Sequence, residues 1–439
     1  MFLSNCLAGA RLYVLFDVEV KMAQKKSSLG LLIGVGLLGF LVLFTIVAIA
    51  VPEAAMPELF TTVSSLQEFT KLMPESPVRD NKSIVKPEFE TFYTSNQVGF
   101  FGRTFGNLFR VMGIASPLPW SSKTFASELK KLIEVREKKS YKDECLLHLK
   151  TPKNARFIIV GDLQGALHSL TRSIFEWKKM EIIDEQLKIK NETDFIIFLG
   201  DAVSRSAYSM ETMMILMRMI DKNPEQAFYI RGNHENDNYW QNYGLKRQLE
   251  MLAENIQESD EKFPLEKYVQ RFFNTLPVAL YCDVPSARET QFIRFSHEGG
   301  DEYTIEKIEP AKFASFLKKG SADAISAISL KGLSAGDETI ETKAIIRSEV
   351  KRKSFQSMDG LRQLDPEDGV PSWTVFSAPT TIYQEGVSFF NDAFVILKTT
   401  DDLNEWVLTV HFQDVRKLDG YKTRACELIS GEEVETAKS

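Results

Sequence analysis

Three short runs of apolar residues, each closed by a polar turn, constrain this chain more than anything else in it. Phe157-Ile158-Ile159-Val160 runs into Gly161-Asp162, Phe195-Ile196-Ile197-Phe198-Leu199 into Gly200-Asp201, and Ala227-Phe228-Tyr229-Ile230 into Arg231-Gly232-Asn233-His234-Glu235. Continuous apolar runs of this length mark strands buried on both faces, and stretches with helical character, such as 210–219, lie between them. The fold class that follows is α/β. Sheets of this kind collect their chemistry at the carboxyl ends of the strands, where all three polar turns fall. An amphipathic helix is expected over 123–140, a helical and loop-rich stretch from 298 to about 370, and three closing strands in PSWTVFSAP, AFVILKTT and WVLTVHF.

Composition narrows the classes further. The chain has 439 residues, 53 Lys+Arg against 60 Asp+Glu for a net charge of −7, and 44% hydrophobic residues, ample for a core. The acidic balance and the lack of a Lys/Arg block argue against nucleic acid as a partner. Cys6, Cys145, Cys282 and Cys426 lie too far apart in sequence for a zinc ribbon or a disulfide scaffold, so free thiols are expected. Residues 29–51 carry no charge, and as a helix they would be about 34 Å long, enough to cross a hydrocarbon layer of about 30 Å. With Lys21, Lys25 and Lys26 before it, this segment is read as a single N-terminal transmembrane helix that makes the membrane a partner and points the rest of the chain away from the cytoplasm. A cleaved signal peptide ending at Ala48-Ile49-Ala50 and a buried core helix remain alternatives. The expected organisation is a basic-flanked segment (1–28), the membrane helix (29–51), a proline-punctuated stalk or accessory region (52–122), a catalytic domain (123–415) and a polar tail (416–439).

The turns carry the chemistry. Asp162, Asp201 and Asn233-His234-Glu235 end successive strands, and Phe295-Ser296-His297-Glu298-Gly299-Gly300 ends a further apolar run with a second imidazole. Carboxylate, amide and imidazole together suit a hydrolytic Mn²⁺, Zn²⁺ or iron centre. If Asp201 bridges two ions, they can polarise a phosphoryl oxygen and activate water, while Arg205, four residues on, neutralises phosphate charge. In outline this is a phosphoester hydrolase.

These turns resemble the metal-binding motifs of the metallo-dependent phosphoprotein phosphatase (PPP) family, the calcineurin-like phosphoesterases. Residues 195–235 follow the family's order of strand, Gly-Asp turn, helix, strand and Gly-Asn-His-Glu turn. Phe273-Asn274-Thr275-Leu276-Pro277 resembles the segment before its His-Gly-Gly motif, and Phe376-Ser377-Ala378-Pro379 its late Ser-Ala-Pro turn. The resemblance covers about residues 123–415 and implies a calcineurin-like metallophosphatase β-sandwich flanked by helices. It implies two divalent metal ions, Mn²⁺ first with Fe or Zn as alternatives, Asp162 and Asp201 holding the first and Asn233 and His297 the second. His234 resembles the general acid, and Arg205 and Arg231 fall where phosphate-contacting arginines are expected. The implied reaction is hydrolysis of a phosphoserine/threonine or phosphotyrosine monoester on a phosphoprotein by metal-activated water.

The departures are equally specific. Gln164 stands where the family has a metal-binding His, and as a neutral amide it is a weaker ligand. Ser204 replaces the Asp that orients the acid His. No histidine lies between His297 and His411 to serve as the late metal ligand, and the strand-like run Ala344-Ile345-Ile346-Arg347-Ser348-Glu349 resembles the place it should occupy, which makes Glu349 the candidate carboxylate substitute. These losses leave a second function open, a pseudophosphatase acting as a binding scaffold, and a small phosphate ester is a third possible target. The same departures, with the added N-terminal region and the acidic tail Gly431-Glu432-Glu433-Val434-Glu435, also resemble divergent bacterial effector phosphatases translocated into a host cell. His148 and His411 read as structural, His168 as a residue of a helix surface, and Glu235 and Glu298 as flanking the site.

Overall fold

The structure, a computed structural model, describes residues 60–73, 75, 78–79, 122–139, 141, 145–241, 245–253, 265–284, 291–297, 325–329, 341–348, 359–367, 369–382 and 387–435. By compactness the chain divides into two units. One, 1–56 with 95–117, lies outside the described residues, and the other, 57–94 with 118–439, holds the fold that follows.

In the first half of the fold, α1 (Val63–Leu72), β1 (Val78–Arg79), α2 (Ser122–Lys138) and β2 (Cys145–Leu149) precede the motif-bearing strands. Those are β3 (Arg156–Val160), β4 (Asp194–Phe198) and β5 (Ala227–Tyr229), linked by α3 (Leu167–Lys179) and α4 (Ser209–Lys222). A 3-10 turn (Asn233–Glu235), α5 (Asp237–Trp240), α6 (Leu245–Ala253) and α7 (Leu265–Phe273) follow. The rest is β-rich: β6 (Ala279–Asp283), β7 (Gln291–Ser296), β8 (Ile325–Ser329), β9 (Glu341–Arg347), β10 (Leu361–Glu367), β11 (Val370–Val375), β12 (Thr380–Ile382), β13 (Val387–Phe389), β14 (Asn391–Lys398), β15 (Val407–Asp414), β16 (Lys422–Glu427) and β17 (Glu433–Val434).

Two seven-stranded sheets, ordered β10-β11-β9-β7-β6-β2-β8 and β17-β16-β15-β14-β3-β4-β5, make the sandwich. Successive side chains of a strand face opposite ways, and β3 and β4 show what that achieves. Phe157, Ile159, Phe195 and Ile197 join a core with Leu280, Phe295, Ile346 and Val375 of the other sheet. Ile158, Val160, Ile196 and Phe198 join the second core, with Leu170, Ile174 and Trp177 of α3 and Met213 and Met217 of α4. Both faces of these strands are therefore buried, which is why their sequences show no alternation. The three closing strands expected from the sequence are β11, β14 and β15, and β14 pairs antiparallel with β3 (Val395↔Ile159). The sandwich with flanking helices is as the sequence implied.

Two expectations need correction. Within 298–370, expected as helical and loop-rich apart from the strand-like 344–349, the described residues form β8, β9 and β10, with β9 inserted between β7 and β11 as a central strand, parallel to both. Its Ala344 and Ile346 are buried in the inter-sheet core. More consequentially, among the described residues no helix is long and apolar enough to cross a membrane. The longest, α2, has 17 residues and carries Glu128, Lys130, Lys131, Glu134 and Arg136 within it, a length of about 26 Å with charges spread along it. For the expected transmembrane helix, the membrane as a partner and the single-pass localisation, the described residues thus provide no such helix. The 29–51 segment lies outside the described residues.

Candidate metal centre and active site

The site forms where the carboxyl ends of β3, β4 and β7 meet. The two sheets are joined there by a bridge between Asp162 and Phe376, just past the ends of β3 and β11. Asp162, Asp201 and His297, all buried, each bring one ligand atom within 4.8 Å of the others. The close approach rests on two glycines. Gly200 has φ +102°, and a Cβ on it would lie 2.6 Å from the amide nitrogen of Gly232; a Cβ on Gly232 would meet the Asp201 carboxylate. Only bare backbone lets the two turns pass so closely.

Glu235 locks those turns together. One of its oxygens, Oε2, accepts the amides of Asp201 (2.9 Å) and Gly232 (2.7 Å), while Oε1 accepts the amide of Ala202 (3.0 Å) and the Tyr229 hydroxyl (2.8 Å). Burial, and after it the Asp201 carboxylate, pushes Glu235 up to about 7. All four of these contacts are donors, however, which is the environment of an ionised carboxylate.

Within the triad, His297 Nδ1 lies 3.1 Å from the Leu199 carbonyl, and Nε2 lies 3.3 Å from Asp201 Oδ1. A ring that donates from Nδ1 to a carbonyl presents Nε2 as its ligand atom. Ser348, fully buried just beyond β9, donates its hydroxyl to Asp162 Oδ1 and stands 3.3 Å from His297 Nδ1. Burial alone would depress His297, but Asp201, then Asp162 and Glu235, outweigh it and raise the ring to about 10. Burial would likewise raise Asp201, yet His234 and His297 hold its carboxyl well below the usual range. Two buried carboxylates facing one imidazole thus draw positive charge strongly. That donor set fits a divalent cation of the Mn²⁺, Fe or Zn²⁺ type, bound with release of the His297 proton.

Around the triad, the His234 amide donates to Asp201 Oδ1 (2.8 Å), and its ring Nε2 lies 3.6 Å from Asp201 Oδ2 and 3.3 Å from Arg205 Nε. Gln164 is at the triad as the sequence suggested, but its Nε2 donates to Asp162 Oδ2 at 3.3 Å, so it braces the carboxylate. The backbone N–H of Gln164 also donates to the Asp201 carbonyl at 2.8 Å. The Ser204 hydroxyl is buried with no hydrogen-bond partner, and its backbone is held by Ser209 Oγ at 2.8 Å. Asn233 opens the 3-10 turn beside His234. The half-buried Arg231 is fixed through its amide to the Pro277 carbonyl, 2.8 Å away. Glu349 and Glu298 lie outside the described residues. His168 turns away from the triad, its Nε2 3.1 Å from the Thr70 and Met73 carbonyls. Gln164, Asp201, Ser204 and Arg205 all have positive φ (+49°, +49°, +80° and +52°), and such strain, about 1–3 kcal/mol per residue, gathers at functional sites.

Comparison with known proteins agrees with this geometry. Residues 155–330 match the family described as calcineurin-like phosphoesterase. The serine/threonine-protein phosphatase PP2A-like PPG1 of Saccharomyces cerevisiae is 32% identical over 104 residues, 24% of this chain and 24% of that protein. Its counterpart in Candida albicans is 37% identical over 87 residues, 20% of this chain and 18% of that one. The chain therefore spans about a quarter or less of the length of these two relatives. A solved Saccharomyces cerevisiae protein serine/threonine phosphatase with similarity to human phosphatase PP5 aligns with 72% of this chain and 95% of its own, at 15% identity and a TM-score of 0.41. The matched segment, residues 155–330, is similar to the calcineurin-like phosphoesterases. It is related to the yeast serine/threonine phosphatases.

Proposed function

We propose that this protein is a metal-dependent phosphatase that hydrolyses phosphate monoesters on phosphoproteins. The observation that carries the reading is the buried convergence of Asp162, Asp201 and His297, supported by the motif family in which these residues stand. When bound, the divalent metal supplies Lewis-acid polarisation of the phosphoryl group and lowers the pKa of the attacking water. Two ions, Mn²⁺ first, are the proposed complement; Asp162 and Asp201 would hold one, and Asn233 and His297 the other.

The chain's own residues do the rest. Arg205, with Arg231, holds the phosphoryl oxygens and offsets their charge. His234 hands a proton from its ring to the leaving oxygen, its main chain pinned to Asp201. Gln164 and Ser348 keep Asp162 aimed at the cation through the bonds described above. A second reading, a pseudophosphatase scaffold, draws support from Ser204, whose hydroxyl bonds nothing and so does not orient His234.

The test is turnover by the Mn²⁺-loaded full chain on p-nitrophenyl phosphate and on phosphopeptides, with metal analysis of the same sample. Asp201→Asn is expected to lose both metal and turnover. His234→Ala should keep the metal and lose turnover at least about a hundredfold. Metal-loaded protein without turnover on any of these substrates would leave the scaffold reading standing.

A further inference from the structure

Resting on that reading, we propose that Tyr239 sets the substrate class, forming an aromatic wall beside His234 that holds the ring of an aryl phosphate such as phosphotyrosine. Among the described residues four large apolar or aromatic side chains are exposed, Val135, Tyr239, Leu418 and Val434, and Tyr239 is the aromatic one, 41% exposed. Its ring lies 5.5 Å from that of His234, tilted by 40°.

This presentation is built into the chain. Tyr239 sits on α5, immediately after the Asn233–Glu235 turn, and the next residue anchors that short helix. Trp240 is 1% exposed, lies in the helix-side core and donates its indole N–H to Gln270 Oε1 at 2.7 Å. The amide of Tyr239 is tied to the Asn236 carbonyl at 3.0 Å. With one aromatic of the pair pinned inward, the other is held at the surface next to the candidate acid.

Position then decides what the ring touches. In phosphoryl transfer the P–O bond to the leaving group breaks, and the oxygen takes a proton from His234 as water adds to phosphorus. The carbon that carries that oxygen comes within reach of His234, whose ring centroid is 5.5 Å from that of Tyr239. A serine or threonine offers one small aliphatic carbon there. A tyrosine offers a flat ring, which a neighbouring aromatic can meet in a tilted or offset stack worth up to about tenfold in affinity. Leaving-group chemistry points the same way. A phenol has a pKa near 10, well below that of an alcohol, so its oxygen departs with less help from an acid. Ser204, at the position where the family has the acid-orienting Asp, bonds nothing through its hydroxyl.

The experiment compares metal-loaded full chain, Tyr239→Phe and Tyr239→Ala on one peptide carrying phosphotyrosine or phosphoserine at the same position. In parallel, phenylphosphonate and methylphosphonate binding is measured by calorimetry. Expected are a preference for phosphotyrosine in the parent and in Tyr239→Phe, and a rise in KM of about tenfold for phosphotyrosine in Tyr239→Ala, with less than twofold change on phosphoserine. Phenylphosphonate should outbind methylphosphonate by about tenfold until Tyr239 is removed. Equal effects of Tyr239→Ala on both peptides, or no gap between the two phosphonates, overturn the proposal. If nothing is turned over but the phosphonate gap is present and Tyr239-dependent, the aromatic wall stands and the catalytic reading falls.

Discussion

At the scale of single residues, the site depends on groups that do not themselves face the cation. Glu235 is the strongest case, because one fully buried carboxylate satisfies three backbone amides and the Tyr229 hydroxyl. Glu235→Gln turns one acceptor oxygen into an NH₂ that must face donors, so we expect a loss of about 3 kcal/mol in urea unfolding together with weakened metal binding. Ser348→Ala makes a cleaner separation. It removes the donor to Asp162 Oδ1 while leaving the fold's core intact, so metal affinity measured by calorimetry should fall about 10- to 100-fold with only a small change in melting temperature. An unchanged affinity would mean that the hydroxyl does not aim Asp162. The contrast with the triad shows what a sequence can disclose. Asp162, Asp201 and His297 each follow an apolar run at a strand end, a local signal. Ser348 reaches the site only because β9 pairs with β7 across an intervening segment, and Tyr229 because its strand ends under Glu235; neither carries a local signature. Gln164 was legible as a departure, but its role as a brace follows from which way its amide points.

At the scale of elements, the N-terminal helix α1 is part of the domain's own core. Phe60, Val63, Leu66, Phe69 and Met73 are buried with the side chains of α3 and α4, and Thr62 and Ser65 cap the helix reciprocally. Three further ties fix it. The Val63 amide bonds the Glu185 carbonyl at 2.9 Å, Lys222 Nζ bonds the Thr61 carbonyl at 2.8 Å, and His168 Nε2 meets two carbonyls at the helix end. Phe69, 1% exposed and edge-on to Phe60 at 4.9 Å, is the test. Phe69→Ala should cost about 3–5 kcal/mol in denaturant unfolding, and a cost below about 1 kcal/mol would mean that the helix is only loosely held. The prolines of this region, read as interruptions to a long helix, include Pro57 and Pro74, which bracket a short one. The strand β9 is legible in part, because Ala344-Ile345-Ile346-Arg347-Ser348-Glu349 reads as strand-like, but its central place comes from neighbours on both sides, β7 and β11, and has no local signal.

At the scale of the whole molecule, the closing strands make stability depend on pH through one buried ring. His411 on β15 faces Phe394 on β14 in register, and the two rings stack nearly parallel, centroids 4.8 Å apart at 2°. Phe394 in turn packs edge-on against Trp177 and tilted against Tyr421, so this contact joins the sheet to the helix layer. Burial lowers the His411 ring to about 4; Glu176 opposes that shift and Lys398 adds to it. An unfolded histidine titrates near 6.5, so between pH 6.5 and about 4 the unfolded chain binds a proton that the folded chain refuses. The sign follows directly. The neutral ring's contribution is fully present above pH 6.5 and is lost as pH falls toward 4, with a slope of at most about 1.4 kcal/mol per pH unit. Carboxylates add their own acid sensitivity below about pH 4.5, so the useful quantity is the difference between the parent and His411→Phe, which keeps the stack and removes the titration. Urea unfolding followed from pH 7 to 4 should show the parent losing stability faster than the variant over this window, with the two curves parallel above it. Curves parallel throughout would mean that the ring takes up its proton in the folded sandwich as readily as in water.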